Sequence, residues 1–327
     1  MNALVIGLGS MGRRRIRLMK QLGIDSITGV DANSERCGAA EAEYGMRCFQ
    51  KISDAMDACA PDMAFVCTSP VTHAAIIREC LEGKLHVFTE LNLVSDGYEE
   101  NMRLARQMDR RLFMSSTMLY RDEIVDLCRR VHDFGGKMSY TYHVGQYLPD
   151  WHPWENYKDF FVSNQRTDGC REIMAIELPW LLNAFGPVKQ VDVVKKRQTD
   201  LEISFPDTYL MTVQHERGHV GQLLFDIVAR VPVRHFEAFG QSLQIEWRGE
   251  PAKYWVADAE PMELRLMELS GPVDRQEGYR SFIIENAYKN EIQTFLDMIR
   301  GNAEPRYTFA DDFKTLRLID EIQGAAC

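Results

Sequence analysis

At 327 residues, 45% of them apolar and 26% charged, the chain is long enough for two domains with separate cores and has an ordinary globular composition. Its formal charge of −10 argues against a broad nucleic-acid face and an anionic membrane surface, both of which reward excess Lys and Arg. No apolar run nears the roughly 20 residues that span a bilayer, and no charged leader precedes the first strand. Neither membrane anchor nor signal peptide is expected, and eight cysteines without a CxxC pair suit reduced thiols in the cytoplasm.

In chain order, ALVIGL reads as a strand and MGRRRIRLMKQLG as a helix closed by Gly23. SITGVD is a strand, SERCGAAEAEYG a helix closed by Gly45, and RCF a short element. SDAMDAC reads as a helix with Ser53 as N-cap, because a Ser hydroxyl can accept from the free amides of a first turn. MAFVCTS is a strand, THAAIIRECLEG a helix ending at Gly83, HVFTEL a strand, DGYEENMRLARQMDR a helix and LFMSSTML a strand. This alternation predicts right-handed βαβ units and a parallel sheet covered on both faces.

The texture changes near Tyr120. A helix, EIVDLCRRVHDFG, leads to the period-2 strand KMSYTYHVGQY, then to the Trp- and Pro-rich loop LPDWHPWENY and a helix over 170–185. VKQVDVVKK, YLMTVQH, HVGQLLFDIVA, VRHFEAF, SLQIEW and AKYWVA follow as strands with Gly, Asp or Pro in most turns, which predicts an open antiparallel sheet. Two helices, YRSFIIENAYKNEIQTFLDMIRG and ADDFKTLRLIDEIQ, end the pattern. The expected fold class is an α/β Rossmann domain, residues 1–120, followed by an α+β domain, residues 121–327, whose last helices pack back toward the first.

Gly7-Leu8-Gly9-Ser10-Met11-Gly12 is a GxGxxG set between the first strand and first helix. That context makes it a dinucleotide fingerprint. The first glycine permits the turn, the second lets backbone approach a pyrophosphate, and the third lets strand and helix pack closely. The helix start, with Ser10 and Met11, then offers amides and a partial positive charge to the phosphates. Asp31, 19 residues beyond Gly12, stands where a carboxylate accepts from ribose hydroxyls and repels a 2′-phosphate, so NAD is expected as cofactor. Arg13 and Arg36 are near enough in sequence to keep NADP as the alternative.

With CTSPVTH (67–73), HVFTELNLV (86–94) and the C-terminal stretch 290–322, the chain resembles the glucose-fructose oxidoreductase, inositol dehydrogenase and MocA family along nearly its whole length. The resemblance implies hydride transfer between a nicotinamide ring and a sugar, sugar derivative or polyol. It implies Thr68, Ser69, Pro70 and His73 along the cofactor, Glu90 near the nicotinamide ribose, and subunit pairing through the open sheet as a homodimer or homotetramer. No nucleic-acid or membrane partner is expected.

The chain departs from the family at two proton-handling positions. Glu-Lys-Pro becomes Glu90-Leu91-Asn92, and the helix motif of Asp followed four residues later by His becomes Glu172 and Ile176, with Pro179 at a later acidic position. A positioned acid/base contributes about 10²–10⁴ in rate, or roughly 3–5 kcal/mol of barrier. Either another group supplies it, or the chain is a retired member that binds nucleotide or sugar as a sensor or assembly partner. Candidate substitutes are His152 and Glu172, with Tyr120 and Lys158 behind them. His152 lies in a loop leaving a strand that the resemblance places beside the cofactor, and an imidazole titrates near neutrality. Trp151 and Trp154 of that loop suit a sugar face, or serve only to lock it. The alternative for Glu172 is a helix carboxylate paired to Arg171 or Arg166.

His215-Glu-Arg-Gly-His219 matches HExxH, the pattern of a zinc hydrolase, but period-2 strands flank it and Gly218 suits a hairpin turn. Helical spacing of the two imidazoles is then lost, and no metal site is expected. Ser115, Ser116 and Cys67 have no nearby base and read as strand packing.

Overall fold

The computed structural model describes residues 1–152, 155–269, 273–275 and 283–324. The chain divides into two compact units: Met1–Thr117 with Tyr288–Lys314, and Met118–Ala287 with Thr315–Cys327.

In the first unit, β1 (Ala3–Ile6), β2 (Ile27–Val30), β3 (Arg47–Phe49), β4 (Met63–Val66), β5 (His86–Thr89) and β6 (Leu112–Met114) alternate with α1 (Ser10–Gln21), α2 (Ser34–Tyr44), α3 (Ile52–Cys59), α4 (His73–Glu82) and α5 (Tyr98–Gln107). All strand pairs are parallel, in the order β3-β2-β1-β4-β5-β6, as the alternation predicts. β1 and β4 are buried on both faces, which is why they read as continuous apolar runs. Gly45 closes α2 in the left-handed region as expected, while Asn33 caps its start by accepting from Glu35 and Arg36 amides. Ser53 is not the cap of α3. The helix begins at Ile52 after Lys51, so Ser53 sits inside the first turn and its hydroxyl bonds Asp54. β6 stops at Met114, short of the expected LFMSSTML, and residues 117–120 coil into a 3₁₀ turn. In α8 (Glu285–Ile299), Phe295 packs edge-on against Phe65 and Phe88 at 5.6 Å and contacts Phe113 at 5.7 Å. Residues 279–282 of the expected longer helix lie outside the described residues.

The second unit holds α6 (Asp122–Phe134), β7 (Ser139–Gly145), α7 (Gly169–Phe185), β8 (Val188–Lys196), β9 (Thr208–His215), β10 (Val220–Asp226), β11 (Val233–Phe239), β12 (Gln244–Trp247), β13 (Tyr254–Ala257) and β14 (Arg265–Leu266). The last helix, α9 (Phe309–Gln323), contributes its end from Thr315. The sheet order is β14-β13-β12-β11-β7-β10-β9-β8. It is largely but not wholly antiparallel: β10 runs parallel to β7. A parallel pair needs a crossover, and α7 followed by the β8–β9 hairpin provides it. α7 covers one face, where Trp180 meets Tyr142 and Phe236, and Phe185 stacks on Tyr140 at 4.3 Å. The opposite face leaves Val194, Leu210, Val220, Phe239 and Leu266 exposed. The seven cysteines among the described residues are all free, and no helix there is long and apolar enough to cross a membrane.

Candidate functional site

The expected cofactor residues of the first unit share one edge of its sheet. Gly7, Asp31 and Glu90 follow β1, β2 and β5 directly, and Thr68 follows β4 after Cys67. β1 and β4 are neighbours with oppositely running strand orders on either side, the switch point where open α/β sheets bind ligands. Gly7 has φ +93°, and a Cβ there would lie 2.7 Å from the Cys67 carbonyl oxygen. A Cβ on Gly12 would lie 1.9 Å from the Gly7 carbonyl oxygen, so neither position accepts a side chain. At Gly9, by contrast, an added Cβ meets nothing within 4 Å. The helix therefore begins at Ser10 behind an open approach, with no acidic residue in its first turn and no side-chain cap on its amides. Asp31 is built into the turn: one carboxylate oxygen accepts the Leu8 amide at 2.8 Å, the other the Asn33 amide at 2.9 Å. Arg36 lies 3.8 Å from Asp31, and Arg13 pairs with Glu43 at 3.1 Å. The turn, the uncapped helix start and the carboxylate fit a dinucleotide.

Glu90 has a partner that sequence did not reveal. The Arg15 guanidinium, from the second turn of α1, donates to it through Nε at 2.5 Å and through a terminal nitrogen at 3.2 Å. The same terminal nitrogen donates to Glu291 of α8 at 2.8 Å and to the Ser115 hydroxyl at 3.2 Å, while the other reaches the Tyr288 carbonyl at 3.0 Å. Glu291 also accepts from the Ser116 amide at 2.7 Å, the Ser115 hydroxyl at 2.9 Å and the Thr117 hydroxyl at 3.1 Å. These bonds end β6, so Ser115 and Ser116 do more than pack. Burial pushes the Glu291 carboxyl up, and the Arg15 charge pulls it back.

His73 is buried at the start of α4, with Nε2 facing the Thr68 carbonyl at 3.0 Å and Nδ1 facing Asn92 and the Thr89 hydroxyl. Burial lowers its pKa. The imidazole thus fixes the Thr68–Pro70 turn from behind. Thr68 and Ser69 are half-buried and Pro70 buried, opening a 3₁₀ turn in which the Thr72 hydroxyl bonds the Ser69 carbonyl at 2.7 Å. Asn92 is enclosed with His73, and Leu91 is half-buried.

In the second unit Glu172 lies in the first turn of α7, after the Asp168 N-cap. The residue is half-buried overall, yet its Oε2 is fully enclosed and makes no hydrogen bond. Desolvation alone raises its pKa from 4.5 to about 8. Arg171, one of its expected partners, instead reaches Asp320 at 2.8 Å and Gln323 at 2.7 Å. Ile176 is half-buried one turn along. His152 is held in its loop by Glu155 at 2.6 Å and by the Phe160 ring at 4.3 Å. The Trp151 indole donates to the Gln146 carbonyl at 3.0 Å, which locks the loop; Trp154 lies outside the described residues. Tyr120 is buried, and Lys158 forms an exposed pair with Glu202.

The HExxH stretch is a hairpin. The His215 amide bonds the His219 carbonyl at 2.9 Å, and Gly218 takes φ +84°. His215 bridges the Gly186 carbonyl at 2.7 Å and the Tyr140 hydroxyl at 2.8 Å, and His219 accepts the Met138 amide at 3.1 Å. A different cluster forms across strands, where the ligand atoms of His235, Glu237 and Glu246 lie within 4.8 Å of one another. Arg248 already donates to Glu246 at 2.6 Å, so this is an ion-paired patch of the open face.

Residues 1–116 match the sequence model of the GFO_IDH_MocA group, described as an oxidoreductase family with an NAD-binding Rossmann fold. No curated protein matches the chain. Among solved structures, it is similar to an oxidoreductase from Agrobacterium radiobacter in complex with NAD+, L-tartaric acid and magnesium (13% identity, 100% and 96% of the two chains, TM-score 0.80). It is also similar to UDP-N-acetylglucosamine 3-dehydrogenase GnnA from Acidithiobacillus ferrooxidans (16%, 100% and 97%, TM-score 0.79). A third is the WlbA dehydrogenase from Bordetella pertussis in complex with NADH and UDP-GlcNAcA (16%, 100% and 95%, TM-score 0.74). At these identities the likeness is one of fold.

Proposed function

We propose that this chain, a member through residues 1–116 of the oxidoreductase family with an NAD-binding Rossmann fold, is an NAD-dependent dehydrogenase acting on a sugar derivative, with Glu172 as its acid–base group. The observation that carries the cofactor half is the Gly7–Gly12 turn. It has no room for side chains at its first and third glycines, is open at its second, and is pinned to Asp31 through the Leu8 amide. NAD, when bound, supplies the hydride acceptor or donor. The chain's residues do the rest. The uncapped start of α1 offers amides to the diphosphate, Asp31 accepts from ribose hydroxyls and disfavours a 2′-phosphate, and Glu90 accepts from a further sugar hydroxyl.

Oxidation of an alcohol leaves a proton that the nicotinamide does not take. Glu172, with an unpartnered buried oxygen and a pKa near 8, is able to accept it in one direction and return it in the other. Its neutral form at pH 7 is a proton donor held without competition from a neighbouring cation. His152 is the second candidate for this step. A sugar nucleotide is the substrate class supported by the dehydrogenases that share the fold. Self-association through the uncovered sheet face and a reducing, cytoplasmic setting complete the reading.

Turnover of NAD with a panel of sugar nucleotides, sugars and polyols tests it, with loss of rate expected in Glu172→Gln. The apolar Leu91 and Ile176, at two positions where the family carries proton carriers, favour a second reading, a retired nucleotide-binding member. Normal NAD affinity with no turnover across the panel would decide for that reading.

A further inference from the structure

The Arg15–Glu90–Glu291 cluster is more than a tie between helices and strands. It places two carboxylates on one guanidinium, and both Arg15 and Glu291 are wholly enclosed. Glu90 alone keeps about a tenth of its side chain exposed. Each Glu291 oxygen accepts two hydrogen bonds, so that carboxylate is internally satisfied. Each Glu90 oxygen accepts one bond from Arg15, which leaves further acceptor capacity at the partly open end. Had Arg15 served Glu90 alone, the pair would be neutral. Shared with Glu291, whose four donors favour its ionised form against the burial that raises its pKa, it leaves one negative charge over, and of the three charged groups Glu90 alone reaches the surface, at the end of β5.

A fixed negative charge in a low-dielectric wall acts on ligand charge at a distance. NAD+ and NADH differ mainly at the nicotinamide, cationic in the first and neutral in the second. We infer that Glu291, acting through Arg15, is a positioning residue that keeps Glu90 only half neutralised and thereby favours oxidised over reduced nicotinamide. The inference rests on the reading of the first unit as an NAD site. It adds a residue from α8 whose effect falls on the ratio of two affinities, something a purely structural role would not move.

The experiment is a set of dissociation constants for ADP-ribose, NAD+ and NADH, measured by calorimetry on the full chain and on Glu291→Gln. The substitution keeps side-chain size and one oxygen acceptor while removing the second charge. The expected result is a loss of NAD+ affinity relative to NADH by roughly five- to tenfold, a Coulomb effect across several ångströms of partly screened protein. ADP-ribose, which lacks the nicotinamide, shifts much less. If Glu291→Gln fails to fold by circular dichroism, Glu90→Gln carries the test. It retains the Arg15–Glu291 pair and is expected to move the ratio in the same direction. Variants that leave the NAD+ to NADH ratio at its wild-type value while all three ligands bind overturn the inference alone. Wild-type protein that binds none of the three overturns the NAD reading and the inference with it.

Discussion

Glu172 makes a prediction in which stability and chemistry are read from one group. Its folded pKa stands near 8 against an ordinary value of 4.5, with desolvation as the cause. Between those values the folded chain holds a proton that the unfolded chain releases, so rising pH costs stability across that window and no further cost accrues above it. Moving one carboxyl that far corresponds to about 5 kcal/mol in full. Because the residue as a whole is only half-buried, water access reduces this to about 2–3 kcal/mol. Glu172→Gln mimics the neutral acid and cannot ionise. Urea denaturation near pH 5 is expected to place the two proteins within about 1 kcal/mol of each other. Near pH 9 the variant is expected to be more stable by about 2–3 kcal/mol. Parallel pH dependence of the two proteins would refute the assignment of an enclosed, unpartnered carboxyl.

The same variant is expected to lower alcohol oxidation by about 10²–10⁴, and the wild-type oxidation rate to rise as pH passes through about 8, where the acceptor form appears; a rate profile flat through that region would count against Glu172. Gly12→Ala puts a methyl group 1.9 Å from the Gly7 carbonyl, so it is expected to abolish saturable NADH binding in a fluorescence titration. Asp31→Ala frees the Leu8 amide and removes the carboxylate beside Arg36, and is expected to shift the NADH to NADPH affinity ratio toward NADPH by about tenfold or more. Asn92→Leu leaves the buried His73 imidazole short of a partner and is expected to cost about 1–3 kcal/mol in denaturant melts, with a weakened Thr68–Pro70 turn.

Much of this was legible because local physics wrote it. Helix ends carry glycines that take positive φ, as at Gly45 and Gly135, and buried parallel strands read as apolar runs. The GxGxxG announced its turn, and period-2 flanks exposed HExxH as a hairpin. What stayed hidden was non-local. The parallel pairing of β7 with β10 joins residues about 80 positions apart, and strand composition carries no sign of strand direction. In sequence Arg15 is the last of a run of three arginines, Arg13 to Arg15, yet folding takes it to Glu90 across 75 residues and to Glu291 across 276. Nothing in the spacing of any of them hints at the meeting. Ser53 failed as a cap for a local reason: a Ser near a helix start announces a first turn but not which of two or three positions it occupies. Glu172 was visible as a candidate, but its missing partner was not, because Arg171 beside it turns instead to Asp320.

The central claim is that the Gly7–Gly12 turn receives a nicotinamide dinucleotide, and a titration of the full chain with NADH, followed by nicotinamide fluorescence, tests it most directly. The account predicts saturable binding of one equivalent per chain, displaced by ADP-ribose and lost in Gly12→Ala. Absence of saturable binding in the wild-type chain, or binding that Gly12→Ala leaves intact, would contradict it.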